Sequence, residues 1–407
     1  MQGGAPETVS DYREGGGYSP GRYQGPALIG AVEAAGLRGR GGAAFPAGVK
    51  WRAVAARPGP RVLIANGEEG EPSSVKDRWL LRHRPHLVLD GLLRAAAAID
   101  ASRSIVYVSD MVAADRVRGA IDELGVAERA VEVFEVAPSF VAGEETAAVR
   151  AIDGGPAKPL SKPPRPFEAG VEGKPTLVAN VETLANVPLI ARHGPEWFRG
   201  LGTEDSPGTF LATLSGSGVA AGLYEFPLGT PLGVALDLAG GVSEQPRGFL
   251  MGGFFGGMLG PEALGVRLDY ESLGALGSGL GCGAIVVLGP RDCPVRAATG
   301  VMAYFARANA AQCGACMNGT EAMHRALAQL TDGSADRSVL ERLRRWSVTL
   351  RGRGACATLD GAARLVASLL DHFAADVESH LDLGCSGCDA WSIPPVSIDA
   401  FVMGRAA

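Results

Sequence analysis

Short apolar runs alternate with amphipathic stretches through the first half of the chain. Arg61-Val-Leu-Ile-Ala65 reads as a buried strand ending at Asn66, and residues 80–99 read as one helix. Residues 104–109 give a second strand, 113–124 a further helix and 130–136 a third strand. This alternation predicts a parallel sheet whose ligands bind beyond the carboxyl ends of its strands. Two acidic, glycine-containing segments, Asn66 to Pro72 and Gly143 to Thr146, fall just past predicted strands, where that rule places a site.

The pattern changes near residue 205. Residues 209–215 and 222–226 are short strands between Gly/Ser turns, and a helix over 232–238 ends at Gly240-Gly241. This small α+β stretch carries no ionisable cluster and reads as structural or interfacial. From about 290 helices take over. Val295, Ala298, Met302 and Phe305 form one apolar stripe, and Leu365, Leu369, Phe373 and Val377 another. After Leu383 periodicity is lost.

A chain of 407 residues with net charge −6 has room for two or three domains and is a poor general nucleic-acid binder. No apolar run reaches the roughly 18 residues of a membrane span, and the first residues lack a secretory signal pattern. The expected location is cytoplasmic, free or peripheral on the cytoplasmic membrane face.

Seven cysteines all lie in the last third: Cys282, Cys293, Cys313, Cys316, Cys356, Cys385 and Cys388. Such clustering predicts a metal site rather than a disulfide framework. Cys313-Gly-Ala-Cys316 with the distant Cys356 suits a sulfur-ligated zinc or iron–sulfur site, with a redox dithiol as the alternative. Cys385 and Cys388 could supply a fourth ligand, bind their own metal or stay free. Cys282 reads as core, Cys293 as the opening of a helix, and the six histidines as surface or capping residues.

Gly36 to Trp51 is richest in candidate chemistry. Five of its sixteen residues are glycine, two are arginine, and Lys50 stands near its end. Such a loop brings main-chain N–H groups against an anion without Cβ obstruction. It is neither a strict Gly-x-Gly-x-x-Gly nor a P-loop. The proline-rich passage from Pro156 to Pro175, carrying Lys158, Lys162 and Arg165, reads as a stiff ligand-facing loop.

Taken together, Gly36–Trp51, Asn66–Pro72 with Lys76-Asp77-Arg78, Ala142–Thr146, Lys162-Pro-Pro164, Asn180-Val-Glu-Thr183, Gly222–Thr230, Cys313–Cys316 and Cys356–Ala363 resemble the NADH-oxidising flavoprotein family of respiratory complex I (its F subunits), shared with NAD-linked hydrogenases and formate dehydrogenases. The resemblance implies an α/β Rossmann-like FMN domain over 1–200, a β-grasp (SLBB) module over 201–285, a helical iron–sulfur domain over 286–381 and a tail over 382–407. It implies hydride transfer from NADH to FMN, then single electrons to a [4Fe–4S] cluster and a small [2Fe–2S] thioredoxin-like partner. The final acceptor could be a membrane redox complex; no nucleic acid is involved.

By the same resemblance Gly39, Gly41 and Gly42 approach the nucleotide, Lys50 holds FMN polar groups, and Phe45 stacks on the dinucleotide. Asn66, Glu68, Glu69, Asn180 and Thr183 bind the flavin's side chain and phosphate, while Glu71, Glu144 and Glu145 hydrogen-bond in the cleft. Arg40, Phe140, Gly143, Lys162 and Val178 complete the set, with Cys313, Cys316 and Cys356 on the cluster. Four positions depart from the family. Ala53 and Arg165 stand where it has phenylalanines, Glu68 replaces aspartate, and Cys316 lacks the following Cys of Cys-x-x-Cys-x-x-Cys. Arg165 would suit the extra phosphate of NADPH. A cofactor-poor structural or assembly protein of a redox complex is the non-enzymatic alternative.

Overall fold

Val62, Leu63, Ile64 and Ala65 are all fully buried in the computed structural model, which describes residues 6–125, 131–382, Trp391 and 396–398. A strand apolar at every position needs cover on both faces, and helices supply it. Helices α1 (Val9–Glu14), α2 (Ala27–Ala35) and α3 (Ala47–Ala55) precede β1 (Arg61–Asn66). Then come α4 (Lys76–His83), α5 (Pro85–Ile99), β2 (Ala101–Val108), α6 (Met111–Leu124), β3 (Glu132–Glu135), α7 (Glu145–Ile152) and β4 (Thr176–Asn180). The four strands run parallel in the order β3-β2-β1-β4. Chain direction across the sheet reverses at β1, so a crevice opens beyond β1 and β4. Their last residues, Asn66 and Asn180, are register partners at its floor.

Short helices α8 (Val181–Ala185), α9 (Val187–His193) and α10 (Pro195–Arg199) lead to a second sheet. It contains β5 (Thr209–Gly216), β6 (Gly222–Pro227), β7 (Gly248–Leu250), β8 (Met258–Leu259) and β9 (Ala284–Leu288), with α11 (Leu232–Leu238) and α12 (Tyr270–Ala275) between strands. The order is β6-β5-β9-β7-β8, with only β5 and β9 parallel. Helices α13 (Pro294–Ala308), α14 (Gly314–Asp332), α15 (Arg337–Thr349), α16 (Thr358–His372) and α17 (Ala374–Asp382) then share one apolar core that includes Val295, Met302, Phe305, Leu365 and Leu369.

Several sequence expectations need correction. Residues 80–99 are two helices, because Arg84 leaves helical geometry at φ −129°, ψ 46° ahead of Pro85. A residue before proline is disfavoured in the α region, and the proline ring carries no N–H. The stripe ending in Phe373 and Val377 likewise bends at Phe373, between α16 and α17. Two histidines are interior. His86 is fully buried, its Nδ1 3.0 Å from the Tyr18 hydroxyl and its Nε2 3.3 Å from Glu123. His380 is buried 3.4 Å from Cys293, whose sulfur also accepts the Arg296 N–H and so opens α13. Cys282 is half-buried in the turn before β9 rather than in the strand. Ala130, Cys385 and Cys388 lie outside the described residues.

Gly91 lets α5 reach α8: a Cβ there would stand 2.0 Å from the Leu184 carbonyl oxygen. Gly91→Ala should cost about 1–3 kcal/mol through overpacking. Denaturant midpoints of the two forms check this, and equal midpoints would show that the helices have slack.

Candidate functional site

The glycine-rich loop joins α2 to α3 and is closed at its neck. Gly36 ends α2 at φ +69°, Arg38 pairs with Pro46, and the Gly39 N–H donates to the Phe45 carbonyl at 2.9 Å. The loop's tip lies against the crevice floor. A Cβ at Gly41 would stand 3.2 Å from that of Asn180, and Gly42 takes φ +113°, open to glycine but strained for other residues. Phe45 is half-exposed beside this tip in sequence. Arg40 turns the other way: its main-chain N–H donates to Thr183 Oγ1 at 2.8 Å, and its guanidinium bonds the Tyr270 hydroxyl and the Thr209 carbonyl.

The charged crevice residues are mutually paired. Lys50 Nζ is 3.1 Å from Glu145 Oε2, while Lys162 Nζ is 2.7 Å from Glu144 Oε1 and 2.9 Å from Glu145 Oε1. Burial works to raise the Glu145 carboxyl, but the two ammonium groups outweigh it and hold it below its usual value. Glu144 also caps α7, accepting the N–H groups of Thr146 and Ala147. Asn66 donates to the Gly143 carbonyl at 2.8 Å, tying β1 to that loop. Glu68 is buried against Gly143, and its Oε2 has no hydrogen bond of ordinary geometry among the described residues. Burial pushes its carboxyl up to about 7, against the pull of the Ser139 N–H and the Ser109 hydroxyl.

Below the floor lies a charge layer whose role the sequence did not disclose. Lys76, 1% exposed, sits 2.6 Å from Asp77, 2.9 Å from Glu182 and 3.3 Å from Asn180 Oδ1. Asn180 donates in turn to Asp77 at 2.8 Å. Two carboxylates within bonding distance keep Lys76 an ammonium despite its burial. Glu182 Oε1 also accepts the Leu211 N–H of β5 at 2.9 Å, so the layer joins the two sheets. The only sequence sign was that Lys76-Asp77 and Glu182 fall inside the quoted motifs.

Two expected cleft acids point elsewhere. Glu69 bonds Ser74, the Asp77 and Arg78 N–H groups and the Arg78 guanidinium, closing the start of α4. The Glu71 carboxylate accepts from Ser73 and from the Phe254 N–H of the second sheet's region, and burial pushes it up to about 7. Val178 is a buried member of β4. The Phe140 ring stacks on Phe255 at 5.4 Å and meets Tyr304 and Phe305 edge-on, packing the crevice loops on the helices. Ala53 is half-buried on α3, and Arg165 is exposed in a turn closed by Glu168.

Cys313, Cys316 and Cys356 line one small cavity at the start of α14. The Ala355 N–H donates to the Cys313 sulfur at 3.4 Å. Burial, with Cys356 and Cys313 nearby, pushes the Cys316 thiol up to about 12, which a bound cation would reverse. Among the described residues no three His, Cys, Asp or Glu side chains converge on a single ion. Three thiols lining one cavity are donors of the kind that both zinc and iron–sulfur clusters take. One helix links the two centres: α7 begins at the crevice acids, and its Arg150 donates to Gln312 Oε1 at 2.9 Å on the cavity wall.

A parallel sheet with a glycine cradle at its switch point, joined to helices bearing grouped thiols, defines a nucleotide-binding redox protein. Residues 32–189 match the family described as the Nuo51 FMN-binding domain, and residues 296–380 match the NADH-ubiquinone oxidoreductase-F iron-sulfur binding region. The second F subunit of the NADH-quinone oxidoreductase of Rhizobium meliloti (strain 1021) is 35% identical, the alignment covering 92% of this chain and 94% of that protein. NADP-reducing hydrogenase subunit HndC of Solidesulfovibrio fructosivorans is 34% identical over 93% of this chain and 81% of that one. The crystal structure of an NAD+-reducing [NiFe]-hydrogenase in the air-oxidized state superposes with a TM-score of 0.82 at 34% identity over 92% of this chain, which spans 65% of the hydrogenase chain. The chain belongs to the family of NADH-quinone oxidoreductase F subunits, with an FMN-binding region followed by an iron–sulfur-binding one. No helix among the described residues is long and apolar enough to cross a membrane.

Glu68 gives a test of the crevice electrostatics. Its folded value near 7 exceeds the ordinary 4.5, so between these values the native state binds the extra proton and stability falls as pH rises. Glu68→Gln should therefore stabilise the ligand-free protein above pH 7 by at most about 3 kcal/mol, at 1.36 kcal/mol per unit. The gain should fade towards pH 5. Denaturant titrations of both forms from pH 5 to 8 check this; a difference independent of pH contradicts it.

Proposed function

We propose that this chain takes hydride from a reduced nicotinamide dinucleotide at the β1–β4 crevice and delivers electrons singly, through its thiol-bound centre, to an iron–sulfur partner. When bound, FMN would supply the conversion from a two-electron donor to one-electron acceptors, and the cluster the onward step. The observation that carries this reading is the cradle itself: Gly41 pressed on Asn180, Gly42 in a left-handed conformation, and Glu68 holding a buried oxygen without an ordinary partner, all at the topological switch point.

The residues then divide the work. The main chain of Gly39–Gly42 and the Asn66 and Asn180 side chains would hold the flavin's ribityl chain and phosphate, with Thr183 fixing the loop through Arg40. Lys50 and Lys162, poised on Glu144 and Glu145, would turn to the ligand's anionic groups. Phe45 would stack on the dinucleotide, while Ala53 and Arg165 offer no ring. Glu68, near neutrality, could hold or release a proton beside the flavin. Phe140 keeps the crevice wall packed against the thiol-bearing helices. Hydride transfer itself requires no protein base.

A quinone is not required as the direct acceptor, because electrons leave through the partner. The companion we favour is a small [2Fe–2S] protein, within a larger redox assembly on the cytoplasmic side.

The direct test is flavin content and reduced-dinucleotide-dependent reduction of an artificial acceptor by the purified full chain; a colourless, inert preparation after FMN reconstitution contradicts the proposal. Lys50→Ala should weaken FMN retention by about 1.5–3 kcal/mol, the value of a hydrogen bond to a charged group. Equilibrium dialysis measures it, and unchanged retention removes Lys50 from the site. Arg165→Phe should tighten NADH by about 0.5–1.5 kcal/mol if the absent ring limits binding, and weaken NADPH if the guanidinium meets its extra phosphate. Affinities for both dinucleotides separate these effects, and no change in either places Arg165 outside the donor site.

A further inference from the structure

We propose that this chain holds its iron–sulfur cluster on three protein thiolates, Cys313, Cys316 and Cys356, and leaves one iron to a small exchangeable ligand such as water or hydroxide. The inference rests on reading residues 296–380 as the cluster region and concerns what completes the fourth corner.

Among the described residues the cavity walls offer no replacement ligand. Besides the thiols they comprise Pro159, Ala310, Ala311, Gln312, Gly354 and Ala355. Only Gln312 has a polar side chain, and both ends of its amide are engaged: Oε1 accepts from Arg150 at 2.9 Å, and Nε2 donates to the Pro159 carbonyl at 2.7 Å. The next position in a Cys-x-x-Cys-x-x-Cys spacing is Gly319, and a Cβ there would stand 2.9 Å from Leu350 Cδ1 and 3.3 Å from Leu359 Cδ1. The sequence lacks the thiol, and the fold has filled its place.

The other two described cysteines are held elsewhere. Cys282 lies 3.7 Å from the Gly252 carbonyl, in the turn before β9. Cys293 and His380 meet at the amino end of α13, whereas the cavity follows its carboxyl end. Cys385 and Cys388 lie outside the described residues, and the double variant below tests them directly.

A cluster with one weakly held iron has a diagnostic reaction. Ferricyanide removes one electron, one Fe²⁺ leaves to water, and a three-iron, four-sulfide core stays on the same thiolates. Ferrous ion with dithionite restores the iron and the electron.

The experiment is anaerobic reconstitution of the full chain with iron and sulfide, brief ferricyanide oxidation, metal and sulfide analysis, and low-temperature EPR. A Cys385→Ser/Cys388→Ser double variant is treated in parallel. Expected for both forms is loss of about a quarter of the iron with sulfide retained, the EPR signal of a three-iron cluster, and recovery on adding iron and dithionite. Full iron retention by the parent overturns the proposal; if only the double variant then loses iron, a tail thiol is the fourth ligand. A parent that binds neither iron nor sulfide overturns the cluster reading itself, while leaving the flavin crevice untouched.

Discussion

The Lys76 ammonium, buried between Asp77 and Glu182, is the constraint on which the crevice depends. A lone charge at that depth is prohibitive, and removing one partner of a buried ion pair typically costs about 3–5 kcal/mol. The group is therefore built completely or the floor is not built. Asn180 takes its orientation from Lys76 and Asp77, Gly41 packs on Asn180, and Glu182 reaches across to the Leu211 N–H. One ammonium thus sets the cradle's floor and the docking of the second sheet.

Much of the architecture was legible because hydrophobic period and strand length are local properties. The fully apolar Val62–Ala65 announced a parallel strand, and the stripes through Val295–Phe305 announced a buried helix face. What escaped was conformational or distant in the chain. Pro85 splits a continuous apolar pattern that periodicity alone cannot divide. His86 looks like a surface residue until Tyr18 and Glu123 arrive from far along the chain. In the crevice, residue types announced an anion cradle, but nothing local told that Glu69 would cap α4, that Glu71 would bond the Phe254 N–H, or that Arg40 would turn to Tyr270. Those directions are set by elements more than a hundred residues away, or by a helix start that sequence placed four residues late.

The crevice charges are already in balance without a ligand. Lys50 and Lys162 lean on Glu144 and Glu145, so neither ammonium stands unpaired and the ligand-free fold avoids the repulsion of two adjacent ammonium groups. On the proposed reading, an incoming phosphate would exchange one anionic partner for another, which limits the net electrostatic gain. Specificity then leans on backbone shape, and the rings absent at Ala53 and Arg165 weigh more than they would in a site dominated by free charge.

Helix α7 carries an acid at the β1–β4 crevice on its first turn and Arg150, bound to Gln312 on the thiol cavity wall, on its second. The two anchor points lie five residues apart, about 8 Å along the axis. On the proposed reading, a rod of this kind would hold flavin and cluster at a set separation, so that breathing of the surrounding loops would leave the electron path almost unaltered.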